Sequence, residues 1–408
     1  MNWEAAKMTK TINNNTTLVL DKIIQASIVG FVGSMPVSIA FCQISLGIGW
    51  LAFLARSIVT KRWLGYRTVL DTPFLGFFLL SLLVSAFSLK PAESFISLKK
   101  FYLLSAVYLV AFNTQGIKRI FELVQLLALM TALTGIFGLI MNLAGLQSRL
   151  LAVQGMAMTS GGIFMMAGIL FLPLAAFYLN QPGFKRYLFP ALYAITFISL
   201  VLTKTVSAWL GWVAGIVSIL LFQKRYLIII LLAAATLGAG LFVFNPVSDR
   251  FMTYKKNNTW EARLTMWKIG WQMIKEKPVL GTGMIDLADL YQAKRPPGDI
   301  RMYGNSRRAG HLHNNFIHIA ATMGLVGLLS FLFLWWMVIK QMISTIAKSP
   351  PGHKLLALAL LASVIGFLTN GMAEWNFGDS EVITIIWFLV GMSVSLNRYY
   401  ANSDSTKL

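Results

Sequence analysis

A succession of long apolar runs constrains the fold of this chain more than any other feature. Mean hydropathy is +0.67 and only 12% of the residues are charged. A helix needs about 20 apolar residues to cross the hydrocarbon core, and backbone polar groups there must be satisfied internally. The runs are continuous rather than alternating, which excludes a β-barrel. They cover residues 23–55, 73–88, 101–114, 121–145, 160–180, 187–203, 205–223, 226–245, 315–339, 355–371 and 382–397. The sequence therefore predicts an all-α integral membrane protein, folded as a single polytopic domain over residues 1–408.

The first run, 23–55, is longer than one crossing needs. Pro36 and the polar stretch Gln43–Ser45 lie near its middle and favour a hairpin of two helices. A single long, tilted helix is the alternative. The residues before this run lack the small-residue cleavage site of a signal peptide, so we expect it to be retained as an anchor. With the hairpin, the prediction is about twelve transmembrane helices and two cytoplasmic termini.

Basic residues indicate which side of the membrane each connection occupies. The chain has 35 Lys and Arg against 15 Asp and Glu. Small basic clusters recur at alternate connections, at 118–119, 185–186 and 224–225, which is typical of the positive-inside rule and of contact with anionic lipids. The chain has no zinc-finger spacing, basic recognition helix or aromatic ribonucleoprotein motif, so we expect membrane lipids and no nucleic acid as partners. Its single cysteine, Cys42, can form neither an internal disulfide nor a thiolate metal cage.

One long polar segment, residues 246–313, interrupts the apolar runs and falls on the periplasmic side of this topology. It carries twelve Lys and Arg against six acids, a balance that would attract a phosphate or pyrophosphate group. A solvated surface that touches lipid headgroups is the alternative. The first half of this large periplasmic loop has an apolar helical stripe, which predicts a helix along the membrane interface that ends at Lys277–Pro278. The stripe consists of Trp260, Leu264, Trp267, Trp271 and Ile274.

Three arginine side chains of the loop are candidates for binding an anion, and Trp267 is a candidate for supporting them. Arg263 and Trp267 lie one turn apart on one face of the predicted helix. Arginine offers a planar fork that matches phosphate oxygens, although a headgroup contact or a salt bridge would also explain Arg263. Arg307 and Arg308 lie in the irregular second half, directly before the histidines of the next motif.

Polar residues stand where the loop meets the apolar run that follows it, in His311-Leu312-His313-Asn314-Asn315. A neutral imidazole at His313 would accept a proton from a sugar hydroxyl. His311 and Asn314 are candidates for supporting it. Two histidines without a nearby carboxylate cluster make a weak metal-ligand set, so we expect neither a metal nor another cofactor. Glu374, in the last outer loop, would orient His313 if it lies close; a solvated loop is the alternative.

Four motifs in this order resemble the O-antigen ligase/polymerase superfamily of bacterial envelopes. They are Arg263-Leu264-Thr265-Met266-Trp267, Lys277-Pro278-Val279-Leu280-Gly281-Thr282-Gly283, His311-Leu312-His313-Asn314-Asn315-Phe316 and Gly324-Leu325-Val326-Gly327. The resemblance implies transfer of a glycan from undecaprenyl pyrophosphate to a lipid A–core acceptor, at the periplasmic face of the inner membrane. It also implies that His313 activates the acceptor hydroxyl and that Arg263 binds the donor pyrophosphate.

The chain departs from the superfamily at a Thr-x-Ser-Arg motif, whose best match here is Thr203-Lys204-Thr205-Val206. Lys204, Arg307, Arg308 or Arg149 would have to supply the missing charge. Within the superfamily the sequence favours the lipid A–core ligase over a polysaccharide polymerase or a protein O-oligosaccharyltransferase. A transporter of lipid-linked glycans is the alternative from a different class, and it would need charged groups inside the spans.

Overall fold

The structure is a computed structural model that describes residues 3–61, 67–114, 116–222, 259–295 and 310–405. Within these ranges every regular element is helical, and nine helices are long and apolar enough to cross a membrane. The predicted all-α membrane class is therefore confirmed. The helices are Trp3–Ser34, Ile39–Thr60, Asp71–Ala86, Pro91–Asn113 (with a 3-10 turn at Leu98–Lys100), Ile117–Leu143, Ala157–Leu179, Lys185–Leu202, Val206–Phe222, Thr259–Glu276, Ala288–Lys294, Asn315–Lys348, Pro351–Asn370 and Ser380–Ser405.

Most predicted spans coincide with one of these helices. Asp71–Ala86 and Val206–Phe222 are apolar but shorter than the nine. The predicted span 226–245 lies outside the described residues, so the total of twelve stays a prediction. The first run is a hairpin, and a single long helix is wrong. Its turn includes Pro36, and the Ser38 side chain caps the second helix by accepting a hydrogen bond from the Phe41 amide.

The connections between helices meet at two separate ends of the bundle. At one end Leu89 N donates to Thr282 O at 3.0 Å, and Thr159 Oγ1 donates to Asp379 Oδ2 at 2.6 Å. At the other end the His353 ring packs against the rings of Phe121 and Tyr400. The contacts at the first end are between connections that the predicted topology puts on the periplasmic side. The contacts at the second end are between segments that it puts on the cytoplasmic side. The helix ends thus pair as the predicted topology requires.

Helix Asn315–Lys348 is broken at Gly324, where φ is 70° and ψ is −175°. The segment 278–283 enters this break, and we call the pairing the Gly324 clasp. A Cβ at Gly324 would lie 2.0 Å from Val279 O, so only glycine fits. Three backbone bonds close the clasp, from Leu325 N to Pro278 O, from Thr282 N to Ala321 O and from Gly283 N to Thr322 O, at 2.7 to 3.0 Å. A break in a membrane helix is tolerated where other parts of the protein hydrogen-bond the backbone N–H and C=O groups that the break leaves unpaired. The three bonds of the clasp pair such groups.

The clasp also explains two of the sequence motifs. The stretch Lys277–Gly283 and the stretch Gly324–Gly327 meet there, so both have a structural role. The clasp holds the loop helix Thr259–Glu276 against the start of Asn315–Lys348. That position brings the arginine and histidine motifs together.

Candidate active site

The candidate site begins at the capped N-terminus of helix Asn315–Lys348. The Asn314 side chain accepts a hydrogen bond from Ile317 N at 3.0 Å, as an N-cap residue does. Its amide nitrogen donates to Met372 O at 2.6 Å. Asn314 was predicted to support the site, and the structure assigns it this capping and bridging contact.

His313 directly precedes this cap and is buried, with 3% of its surface exposed. Its φ of 46° lies in the left-handed region, which histidine adopts more readily than most residues do. This backbone conformation turns the chain from the loop into the helix. The Nδ1 atom of His313 is hydrogen-bonded to Glu374 Oε1.

Glu374 connects His313 to Arg263 through its two carboxylate oxygens. Its second oxygen, Oε2, accepts a hydrogen bond from Arg263 NH2 at 3.2 Å, and both side chains are buried. Burial alone would raise the pKa of Glu374, but His313 and then Arg263 outweigh it and lower that pKa to about 2. Glu374 is therefore a carboxylate at neutral pH. The alternative of a solvated loop at Glu374 is wrong, because the residue is 7% exposed.

Arg263 and Trp267 reach the site from helix Thr259–Glu276. The Trp267 indole donates to Leu312 O at 3.1 Å, which fixes the segment just before His313. The helix ends at Glu276, as the Lys277–Pro278 signal predicted. Its side chains Met266, Ile269 and Met273 form a small second core with Leu312, Ala320 and Ala321.

The predicted apolar stripe is not the face that this helix packs against the protein. Trp260 and Trp271 are 49% and 56% exposed, and Leu264 is also exposed, whereas Ile274 is buried. The side that faces the protein carries Met266, Ile269 and Met273, which lie between the stripe residues in the sequence. The helix therefore has two apolar faces, and the periodicity analysis selected mainly the outward one. An outward tryptophan face suits a membrane interface.

Sequence reasoning missed the amide pair that holds the last outer loop in place. Asn315 Nδ2 donates to Asn376 Oδ1 at 2.6 Å, and Phe377 N donates to Asn315 Oδ1 at 3.2 Å. A Cβ at Gly371 would lie 2.2 Å from Asn315 Nδ2. Paired asparagines at a helix mouth were the available signal, but their partners come from about 60 residues away. The hydrogen bonds of Asn315 thus hold the last outer loop and set the position of Glu374 in it.

His311 lies beside His313, with ring centroids 4.2 Å apart. Burial and then the neighbouring His313 lower the pKa of His311 to about 4. His311 is therefore neutral at physiological pH. It adds polarity beside the site without adding charge.

Three groups of the site could serve as metal ligands. The ligand atoms of His311, His313 and Glu374 all lie within 4.8 Å of one another. The expectation of no metal assumed that the histidines had no carboxylate beside them, and that premise is wrong. Glu374 also bonds Arg263, so a cation bound there would lie close to a guanidinium charge. Metal independence stays a prediction.

The segment Thr203–Val206 is bound by Arg149. Arg149 Nε donates to Thr203 O at 2.9 Å, and NH2 donates to Thr205 Oγ1 at 3.0 Å. Among the described residues, Arg149 is thus a candidate for the missing arginine that contacts this segment. Lys204 has a left-handed φ of 52° in the same turn. Its predicted role in binding the donor stays a prediction, and Arg307 and Arg308 lie outside the described residues.

Two comparisons with known proteins bear on this site. Residues 191–332 match the family described as O-Antigen ligase, a range that includes Arg263 and His313 but not Glu374. A protein of Rickettsia conorii (strain ATCC VR-613 / Malish 7), named "Putative polysaccharide ligase", is similar over 232 residues with 26% identity. The match covers 54% of each chain, so this protein spans about half the length of that curated relative.

Proposed function

Because this chain belongs to an O-antigen ligase-type family, as its motifs predicted and its matches confirm, we propose that it is a glycosyltransferase of the bacterial inner membrane. It transfers a polysaccharide from undecaprenyl pyrophosphate to the lipid A–core oligosaccharide, on the periplasmic side. The observation that carries this proposal is the buried array of His313, Glu374 and Arg263 at the mouth of helix Asn315–Lys348.

The array supports His313 as the general base. Glu374 is an anion, so its Oε1 accepts a hydrogen bond from His313 and holds the imidazole proton on Nδ1. That tautomer carries the lone pair on Nε2, which is the atom that would take a proton from the acceptor. An acid that orients a histidine in this way is a recurring arrangement in group-transfer enzymes. Glu374 is thus a positioning residue in the proposal.

Arg263 has two tasks in the proposed reaction. Its charge helps to keep Glu374 ionised. Guanidinium groups also stabilise the charge that develops on a departing phosphate, so Arg263 binds the donor pyrophosphate as the family resemblance implies. Among the described residues, Arg149 and Lys204 are candidates for the second cationic group, because one contacts the Thr203–Val206 turn and the other belongs to it.

The proposed step balances without a cofactor. The acceptor O–H bond breaks and its proton moves to His313 Nε2. The acceptor oxygen then forms a bond to the anomeric carbon of the donor sugar. The bond between that carbon and the pyrophosphate oxygen breaks, and the electron pair leaves with undecaprenyl pyrophosphate.

Both substrates are lipid-anchored, so the enzyme needs a site at the edge of the bilayer. The outward face of helix Thr259–Glu276, with Trp260 and Trp271 exposed, supports contact with that interface. The site also lies at the bundle end where the short connections carry few basic residues, and the long basic segment 246–313 is not counted because long segments cross the membrane largely regardless of charge. The positive-inside rule assigns that end to the periplasm.

A deletion strain tests the proposal, with its lipopolysaccharide separated on a gel. A ligase predicts that all polymer is lost from lipid A and that lipid-linked polymer accumulates. A single repeat unit on lipid A would instead indicate a polymerase of the same superfamily. Unchanged lipopolysaccharide with a glycan missing from a secreted protein would indicate a protein O-oligosaccharyltransferase. Either of these two results would reject the ligase assignment.

A further inference from the structure

A cavity of about 280 Å³ lies beside the proposed active site. It is bounded by helices Asp71–Ala86, Pro91–Asn113, Asn315–Lys348 and Ser380–Ser405 and by the last outer loop. A water molecule occupies about 30 Å³ of liquid, and small-molecule sites start near roughly 300 Å³. The cavity therefore matches a ligand of about the size of one sugar ring.

The cavity adjoins the catalytic array through two of its lining residues. One is His311, whose ring lies against that of His313. The other is Trp375, which follows Glu374 in the chain and whose amide donates to Glu374 Oε1 at 3.2 Å. A molecule in this cavity would thus lie next to the proposed general base.

One wall of the cavity carries a polar group that lacks a partner. His318 is 94% buried, with 6% of its surface exposed, and lines the cavity. Its Nδ1 atom is buried and has no hydrogen-bond partner among the described residues. An imidazole that lines a cavity and has an unpaired nitrogen favours a ligand that can hydrogen-bond its ring.

The remaining walls indicate the chemistry of that ligand. Aromatic rings supply much of the lining, and the His318 ring centroid lies 3.8 Å from that of Trp375. Lys100 and Asp286 bring opposite charges, so the described walls of the cavity have no cationic excess for a pyrophosphate. A pure hydrocarbon tail would leave His318 unpaired. A neutral, hydroxyl-bearing ring satisfies both the aromatic surfaces and the imidazole.

We propose that this cavity binds the terminal sugar of the glycan acceptor and that His318 hydrogen-bonds one of its hydroxyl groups. The acceptor assignment rests on the proposed function, because His313 must meet the acceptor hydroxyl. The sugar binding itself rests only on the cavity and on His318. His318 is then a specificity-determining residue of the acceptor site.

Sugar binding is tested on the full-length protein, purified in a detergent without a sugar headgroup and placed in phosphatidylcholine nanodiscs. The probes are methyl β-D-glucopyranoside and methyl β-D-galactopyranoside, followed by saturation-transfer difference NMR. We expect binding to wild type and about tenfold weaker binding to His318→Phe, which corresponds to one lost hydrogen bond. The matched control, His353→Phe, changes a half-buried histidine at the other end of the bundle and should bind as wild type does.

Folding must be separated from binding in this test. Phenylalanine keeps the ring beside Trp375 and removes the unpaired nitrogen, so the unfolding temperature of His318→Phe should not fall. If it does fall, Ser97→Phe serves instead, because Ser97 lines the cavity and, among the described residues, its hydroxyl bonds only Glu93 O of its own helix. That variant should block the cavity while His318 stays intact. Absence of binding to wild type, unchanged binding in His318→Phe or Ser97→Phe, or an equal loss in His353→Phe would each overturn the sugar site.

Steady-state transfer then separates the acceptor site from the proposed function. His318→Phe should raise the KM for the acceptor about tenfold, leave kcat within about twofold and leave the KM for the donor unchanged. A higher KM for the donor instead would overturn the acceptor assignment. If wild type binds the glycosides but transfers no glycan, the proposed function fails and the sugar site stands.

Discussion

Replacing Glu374 by glutamine removes one charge from the middle of the buried array of His313, Glu374 and Arg263 and changes its shape little. Arg263 NH2 lies 3.2 Å from Glu374 Oε2. With an effective dielectric constant of about 20, Coulomb's law gives about 5 kcal/mol for opposite charges at this distance. Removing one member of such a buried pair costs about 3–5 kcal/mol, because the other charge stays buried and uncompensated. We therefore expect Glu374→Gln to lower the unfolding temperature clearly.

The same substitution should impair transfer more than folding. A glutamine amide can donate to Nδ1 of His313, which favours the tautomer with its proton on Nε2 and removes the base. A change of this kind lowers the rate on the order of 10⁴-fold in a comparable acid–histidine array. The double variant Glu374→Gln with Arg263→Gln removes both charges, so it should recover stability relative to Glu374→Gln but not activity.

Two measurements check this prediction, and both compare variants whose amounts in the membrane are equal. Unfolding is followed by heating in detergent and counting the protein that stays monodisperse, and transfer is followed by lipopolysaccharide gels of a complemented deletion strain. Glu261→Gln is the matched control, since that carboxylate lies on the same helix as Arg263 and is exposed. Wild-type stability and a wild-type ladder in Glu374→Gln would refute the electrostatic reasoning.

Four further results are expected. His313→Ala should abolish transfer while the protein still folds and inserts; near-normal ladders would reject His313 as the base. Burial raises the pKa of Glu374, but its partners outweigh burial and lower it to about 2, against about 4.3 in the unfolded chain. The ionised Glu374 therefore stabilises the fold fully above about pH 4.3, and this stabilisation is lost as the pH falls from about 4 to 2. Acid titration of unfolding should show this loss in wild type and not in Glu374→Gln, and identical curves would contradict it. Gly324→Ala should cost several kcal/mol, because a Cβ would lie 2.0 Å from Val279 O, whereas Gly76→Ala meets nothing within 4 Å and should be neutral; equal unfolding temperatures would disprove the clasp. Transfer should survive thorough chelation, whereas loss with EDTA and recovery with a divalent ion would assign a metal to His311, His313 and Glu374.

Some parts of the site were predictable because their signal is local in the sequence. The chain passes from a basic loop to an apolar run at His313, and an asparagine after it marks a helix start. The arginine and tryptophan of helix Thr259–Glu276 share a face through simple periodicity. These patterns depend on neighbouring residues, so the sequence shows them directly.

Other parts were not predictable, and the partner of His313 is the clearest case. Glu374 is one of three acids in and beside the last outer loop, and nothing local separates it from Asp379 or Glu381. Asp379 instead accepts a hydrogen bond from Thr159, and burial raises its pKa to about 7. The same limit applies to helix Thr259–Glu276, whose second apolar face was invisible to a single-stripe analysis.

The sequence by itself determined the membrane class, the hairpin at Pro36, the loop helix and the residues most suited to chemistry. Hydropathy, proline geometry and helical periodicity act over a few residues, so these features need no tertiary information. Only the tertiary structure decided that Glu374 bonds His313, that Gly324 opens a break for segment 278–283, and that His318, one of whose nitrogens has no partner among the described residues, lines a cavity. Each of these depends on groups that are distant in sequence, and the free energy of burying a charge or a polar atom is set by what surrounds it in three dimensions.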